Sequence, residues 1–216
     1  MHRLILIRHA QSEHHVQRLT GGWTDLPLSQ LGQAQAQVLA DDCRRRLADE
    51  PSVCLFSSDL ARAAQTAAYV AAALSVAVQL EPALRELNNG IAAGLTHDAA
   101  KRIELPMTEP VIDWVPYPEA ETWRMMVDRV FAGMNRIDLA CPTTAVVVTH
   151  GNAGVAVIQW WLRLSECCRQ GISFELDPAS VSELAINSWQ ERTIVRLNDT
   201  SHLQQMGGSS AAVGGA

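Results

Sequence analysis

A three-layer α/β/α sandwich around a mostly parallel central sheet is the fold class this sequence predicts, and three observations predict it. Residues 4–7, 53–56 and 145–148 are short apolar runs bounded by polar residues, as strands covered on both faces tend to be. Segments of helical period lie between them. The chain then closes on VSELAINSW (181–189) and RTIVRLN (192–198), two runs that a short polar link joins as paired strands. Strands alternating with helices place a parallel sheet at the centre.

Taken in order, 4–7 is the first strand. Ser29 can cap a helix reaching about Leu47, with Leu31, Ala34, Val38, Leu39, Cys43 and Leu47 as its apolar stripe. After the 53–56 strand, 60–74 is rich in alanine and strongly helical. Residues 78–84 read as another strand. The stretch 88–118 carries Pro106, Pro110, Pro116 and Pro118 with weak periodicity, which predicts an irregular excursion serving as a substrate lid. Trp123, Met126, Val127, Val130, Phe131, Met134 and Ile137 recur at three- and four-residue spacing, so a long amphipathic helix follows. The 145–148 strand leads into a helix from Gly151 through Val155 and Ile158 to Leu164. One domain over 1–203 is expected, with a flexible low-complexity tail over 204–216 ending GGSSAAVGGA.

Composition narrows the function classes. A chain of 216 residues, 48% hydrophobic and 19% charged, is one ordinary globular domain. With 17 basic against 23 acidic residues the net charge is −6, the opposite of a polyanion binder, so nucleic acid is not an expected partner. The five cysteines form no CxxC pair, which fits a reducing, cytoplasmic compartment. The 4–7 run is too short for a signal peptide, and Ser75 and Gln79 break the most apolar stretch, so no membrane is expected. A homodimer is left open.

The polar residues then fall into a pattern. His9 follows the first strand, His150 follows 145–148 just before Gly151, Arg62 lies early in the helix after 53–56, and Glu86 follows 78–84. Ligands of an open parallel sheet bind outside the carboxyl ends of its strands, so these residues should meet at one rim. Two histidines, two arginines (Arg8 and Arg62) and a carboxylate suit phosphoryl transfer to a histidine. A neutral imidazole attacks phosphorus, guanidinium groups match phosphate oxygens, and a carboxylic acid protonates the leaving oxygen. Glu13, Glu81, Glu119 and Glu121 are rival carboxylates. His9, His14 and His15 are near neighbours, yet no Cys/His/Asp set completes a metal site, so neither metal nor cofactor is expected.

LILIRHAQSE resembles the opening signature of the histidine phosphatase superfamily, the phosphoglycerate-mutase-like family. The likeness continues through GGWTDLPLSQLGQAQA (21–36), SSDLARAAQTA (57–67), LRELNNGIAAG (84–94), PEAETW (118–123), VVVTHG (146–151) and NDTSHL (198–203). The resemblance implies that His9 is a phosphohistidine nucleophile and Glu86 the proton donor. It implies a phosphate pocket of Arg8, Arg62 and His150, with Ser12, His15 and Gly151 as further contacts. Two departures stand out: Ala10 replaces the usual glycine, and His15 stands where many members carry an asparagine. Trp23 is expected to pack under the phosphate loop, Trp160 and Trp161 in the core or an interface, and His202 to support the end of the last strand. The Arg44–Arg46 run is expected to be an exposed helix end.

The resulting expectation is a phosphoric monoester hydrolase of histidine acid phosphatase type acting on a small phosphorylated metabolite. The family also contains mutases, which rebind a bisphosphate and need basic residues on the lid. Between Asn88 and Glu121 the chain offers only Lys101 and Arg102 against Asp98, Glu104, Glu109, Asp113, Glu119 and Glu121. That balance favours hydrolysis. A phosphoglycerate-mutase-type phosphotransferase, a catalytically silent binding member and a metal-dependent hydrolase are the alternatives.

Overall fold

The computed structural model describes residues 1–206, and the low-complexity run from 207 lies outside the described residues. The chain enters on β1 (Arg3–Arg8), a one-turn α1 (Glu13–Val16), the long α2 (Gln30–Arg46), β2 (Val53–Ser57), α3 (Ala61–Leu74) and β3 (Val78–Leu80). It continues through α4 (His97–Arg102), α5 (Trp123–Ala140), β4 (Thr144–Thr149), α6 (Gly151–Trp161) and α7 (Glu166–Arg169). It closes on the hairpin β5 (Val181–Ile186) and β6 (Arg192–Asp199), followed by a 3-10 helix over Ser201–Met206. That last turn carries regular structure beyond Leu203, so the first residues assigned to the tail belong to it.

Six strands form one sheet in the order β3-β2-β4-β1-β5-β6. β1 pairs parallel with β4, and β2 parallel with β3 and β4; β5 runs antiparallel to both β1 and β6. The sandwich expected from the sequence is therefore present, with an antiparallel hairpin on one edge.

Why β1 and β4 are continuously apolar follows from the layers. Leu4, Leu6, Val147 and Phe56 face α5 and α6, packing on Met126, Val130, Met134 and Ile158. The alternate residues Ile5, Ile7, Val146, Val148 and Leu55 face α2 and α3, against Leu39, Cys43, Ala67 and Val70. A strand covered on both faces has no polar side to show. Trp160 and Trp161 are both buried in the first of these layers.

Three expectations shift. The buried face of α2 is Gly32, Ala36, Leu39, Ala40 and Cys43, and Leu31 is exposed. Gly32 sets this rotation, because a Cβ there would stand 1.8 Å from the Gln11 carbonyl oxygen. The helix packs directly on the loop after His9, and only glycine allows that approach. The strand expected over 78–84 ends at Leu80, since Pro82, which has no N–H for a ladder, opens a 3-10 turn over Pro82–Leu84. α6 stops at Trp161 rather than Leu164, and Arg163 adopts a left-handed φ of 53°. The 88–118 excursion carries α4 and two short 3-10 turns, Gly90–Ala92 and Val111–Asp113.

Candidate active site

The carboxyl ends of β1, β2 and β4 lie side by side, and the predicted residues meet there. His9 leaves β1 with its backbone N–H bonded to the Thr149 carbonyl at the end of β4 (2.9 Å). Its ring is almost fully buried. Nδ1 lies 2.7 Å from the Ala10 carbonyl, an acceptor only, so Nδ1 carries the proton. Arg62 Nε, a donor only, points at His9 Nε2 from 3.1 Å. Both partners require the same tautomer, which leaves the Nε2 lone pair aimed at a guanidinium. Thr66 on α3 ties the two segments together, accepting from Ala10 N (3.1 Å) and donating to the Arg62 carbonyl (2.8 Å). Ala10 is fully buried and its backbone stays out of the left-handed region, so the replaced glycine introduces no strain.

Arg62 is 1% exposed. Nη1 donates to the Thr24 carbonyl at 2.7 Å and Nη2 to the Gly22 carbonyl at 2.8 Å. Gly22 adopts a φ of +50°, the left-handed turn that glycine accepts readily. Counting the bond to His9, two of the five guanidinium N–H groups remain for an anion.

Arg8 donates Nη1 to the Leu176 carbonyl, and its Nε is buried without a partner. Its Nη2 lies 3.3 Å from His15 Nε2. The His15 Nδ1 atom already accepts from the Ser12 backbone N–H (3.1 Å), so in a neutral ring Nε2 carries the proton. Two donors therefore face one another, an arrangement that an anion between them would satisfy. Ser12 turns its hydroxyl to His14 Nδ1 (2.7 Å) and His15 Nδ1 (3.2 Å), so it acts on the site by orienting those rings.

His150 caps α6. Its ring centroid is 5.0 Å from that of His9, its Nε2 is 2.8 Å from Ser58 Oγ, and its Nδ1 is buried with no partner. Glu86 reaches the same helix start: Oε1 accepts from Leu87 N (2.8 Å) and Ala153 N (3.2 Å), Oε2 from Asn152 N (3.1 Å). Gly151 borders both Glu86 and Arg8: a Cβ there would lie 3.6 Å from Glu86 Oε2 and 3.7 Å from Arg8 Cζ, ordinary contact distances. Trp23 anchors the other side of this strut. Its Nε1 donates to the Glu86 carbonyl (2.7 Å) beneath the Arg85 and Arg129 guanidinium groups.

The rim carries uncompensated positive charge. Arg3, Arg46, Arg85, Arg124, Arg129 and Arg136 all pair with carboxylates, but among the described residues Arg8 and Arg62 form no salt bridge. Buried, unpaired cations are costly, and a bound anion would offset that cost. Burial lowers the Arg62 pKa to about 10, with Glu86 and Asp25 opposing, so the group stays charged at neutral pH. Burial, then the Arg62 charge, holds both His9 and His150 well below the ordinary histidine range. His14 and His15 are lowered to about 3 and about 4, again chiefly by burial. The rim thus presents neutral imidazoles beside permanent positive charge. Among the described residues no group of three or more His, Cys, Asp or Glu is placed to hold a metal ion.

Of the rival carboxylates, Glu81 and Glu121 are engaged by Arg136 and Arg129. Arg46, expected to be an exposed helix end, instead pairs with Asp42 and Asp199. His202 is buried in the closing 3-10 helix with Asp42 3.9 Å away. His14, Ser58, Thr66, Arg129 and the carbonyls of Gly22, Thr24 and Leu176 are parts of the site that the sequence did not single out as such. Among the described residues no helix is long and apolar enough to cross a membrane.

Comparison with known proteins identifies the family. Residues 4–200 match the profile of the "Histidine phosphatase superfamily (branch 1)". A "Probable phosphoglycerate mutase" of Photorhabdus laumondii is 30% identical over 157 residues, 71% of each chain. One of Proteus mirabilis is 29% identical over 94% of this chain and 95% of its own. Among solved structures, a mycobacterial glucosyl-3-phosphoglycerate phosphatase superposes with a TM-score of 0.75 at 23% identity, covering 93% of this chain and 100% of its own. The alpha-ribazole phosphatase of Shigella flexneri gives 0.74 at 24% identity, covering 91% and 96%. These likenesses show a shared fold. With the profile match spanning nearly the whole chain, the protein belongs to branch 1 of the histidine phosphatase superfamily.

Proposed function

We propose that the protein hydrolyses a small phosphomonoester through a covalent phosphohistidine on His9. The observation that carries this reading is the tautomer lock: a carbonyl on Nδ1 and a guanidinium N–H on Nε2 leave His9 neutral, with its nucleophilic lone pair beside Arg62. Phosphate oxygens would be held by Arg8 Nε and Nη2, the His15 Nε2 proton, the free N–H groups of Arg62 and His150. In the first step the hydrogen bond of the Arg62 Nε–H passes from His9 Nε2 to a phosphate oxygen and frees the lone pair. Nε2 attacks phosphorus, the P–O bond to the alcohol breaks, and the departing oxygen takes a proton that Glu86 has received from the substrate's phosphate monoanion. In the second, water attacks the phosphohistidine, Glu86 takes a proton from it, and the P–N bond breaks to release phosphate. Arg8 and Arg62 meet the charge on the transferring group in both steps, the kind of preorganised stabilisation that supplies most of a rate enhancement.

The two relatives named as mutases make phosphoryl return to the substrate the second reading. Against it, Lys101 and Arg102 are exposed on α4, while Glu104, Glu109 and Asp113 on the same excursion are exposed acids. The test is phosphate release across a panel of phosphomonoesters, with His9→Ala as the blank. Hydrolysis predicts stoichiometric phosphate. Interconversion of 3- and 2-phosphoglycerate with negligible release of phosphate would replace it with the mutase reading. Chelator should leave activity unchanged; its loss would point to a metal-dependent hydrolase.

A further inference from the structure

We propose that the alcohol half of the substrate is a ring-bearing group, seated in a cavity of about 650 Å3 that begins at Leu87, the neighbour of Glu86. This rests on the hydrolase reading above and names the substrate class for the same site. The cavity is walled by Leu87, Val111, Ile112, Trp114, Trp123 and Ile172, brought together from the end of the Glu86 strut, the 88–118 excursion, the start of α5 and the loop after α7.

Its position ties it to the chemistry. Leu87 is the neighbour of Glu86, and its backbone N–H binds the carboxylate. Arg129 bridges the same strut to the cavity wall, donating to the Glu86 carbonyl (3.2 Å) and to Glu121 (2.9 and 2.7 Å). On the far side, the loop carrying Ile172 runs on to Leu176, whose carbonyl holds Arg8. Glu86 thus shares the Gly151 position with Arg8 and is tied through Leu87 to the cavity wall. The cavity is where the leaving oxygen's substituent must extend if Glu86 protonates it.

Its chemistry suits a ring. Glu121 is already taken by Arg129, and Arg169 lies over the Phe131 ring at 4.9 Å with its Nε buried and without a partner. Glu109, also on the wall, pairs with no cation among the described residues. One acid and one base thus leave the wall with no net preference for charge. A ring meets two indoles and four aliphatic side chains. The Trp114 Nε1 proton is spent on the Leu105 carbonyl (3.2 Å), which leaves that ring as a surface for stacking. Val111 and Ile172 are 47% and 42% exposed, apolar area that a bound ring would cover. A phosphorylated triose would leave most of this volume to water. A cavity of this size suits a ligand several times larger.

The experiment compares two primary alkyl phosphates of similar leaving-group chemistry, naphthylethyl phosphate and glycerol 3-phosphate. Calorimetric titration with naphthylethanol runs in parallel as a readout independent of turnover. The ratio of kcat/KM values should favour the naphthylethyl ester by about 100-fold, and Val111→Asp or Ile172→Asp should each lower that ratio by about 10-fold. Naphthylethanol should bind wild type and His9→Ala alike, and about 10-fold more weakly to either aspartate variant. A ratio at or below one, or alcohol binding that ignores both substitutions, overturns the proposal while leaving His9-dependent hydrolysis standing. Cavity-dependent binding without phosphate release above the His9→Ala blank keeps the ligand class and overturns the hydrolase reading instead. Both aspartates replace exposed side chains, and unchanged melting temperatures confirm that folding is not the cause.

Discussion

Replacing Glu86 by glutamine separates the proton-donor role from the structural one. The carboxylate accepts three backbone N–H bonds, from Leu87, Asn152 and Ala153. Glutamine keeps the shape and can keep the two bonds at Oε1, but its NH2 then faces the Asn152 N–H. One donor losing its acceptor costs about 1 kcal/mol, the low end of the range because Asn152 is exposed. Removing a negative charge from the α6 N-terminus costs about 0.3–1 kcal/mol more. The expected loss is about 1–2 kcal/mol, a fall in Tm of about 2–8 °C for a chain of this size. Catalysis should fall much further. For an alkyl phosphate, whose alkoxide must be protonated as it leaves, kcat/KM should drop about 100- to 10,000-fold. For p-nitrophenyl phosphate, whose phenolate leaves unaided, the drop should stay under about 10-fold. The comparison uses kcat/KM because it reports the first transfer and not breakdown of the phosphohistidine. Equal losses on the two substrates would refute Glu86 as the proton donor, and no loss on either would remove it from the chemistry.

Three further outcomes follow from the same geometry. Arg62→Ala should lower kcat/KM about 100- to 1,000-fold, the usual cost of one preorganised donor at a developing charge, and Arg62→Lys should not restore it because an ammonium cannot reach His9, Gly22 and Thr24 together. Gly32→Ala places a methyl group 1.8 Å from the Gln11 carbonyl oxygen and should cost about 3 kcal/mol in a urea melt, with a parallel loss of activity as the His9 loop moves. The buried histidines make the fold acid-sensitive: their folded pKa values are depressed, so below about pH 6.5 the unfolded chain binds protons that the folded chain refuses. Stability is full above that pH and falls by up to about 1.4 kcal/mol per pH unit per histidine on the way down towards pH 4, where His15 begins to titrate in the folded state. Melts at pH 7.5 and 5.5 check this, and equal stability at the two would contradict the burial argument.

The frame of this molecule was legible because its strands are buried twice over. A run such as Ile5-Leu6-Ile7 needs two covered faces, and the helices between such runs supply them. His9, Arg62, Glu86 and His150 were legible for a related reason: each follows a strand, and strand ends share a rim. What the sequence hid has physical causes too. The carbonyls of Gly22, Thr24 and Leu176 orient the two arginines, yet a backbone acceptor leaves no mark in residue type. The rotation of α2 is hidden because the decisive residue, Gly32, has no side chain to count as apolar. The early end of β3 is hidden from periodicity, which does not register that Pro82 cannot continue a ladder. The cavity beside Glu86 draws on residues 87, 109–123 and 169–173, whose meeting depends on tertiary packing.

The central claim is that His9 carries the phosphoryl group. Rapid quenching of the enzyme with a phosphomonoester labelled in its phosphate, followed by peptide mapping at alkaline pH, tests it most directly. The account predicts acid-labile, alkali-stable label approaching one phosphate per chain on the peptide containing His9, and none in His9→Ala. Label on any other residue, or full turnover by His9→Ala, would contradict it.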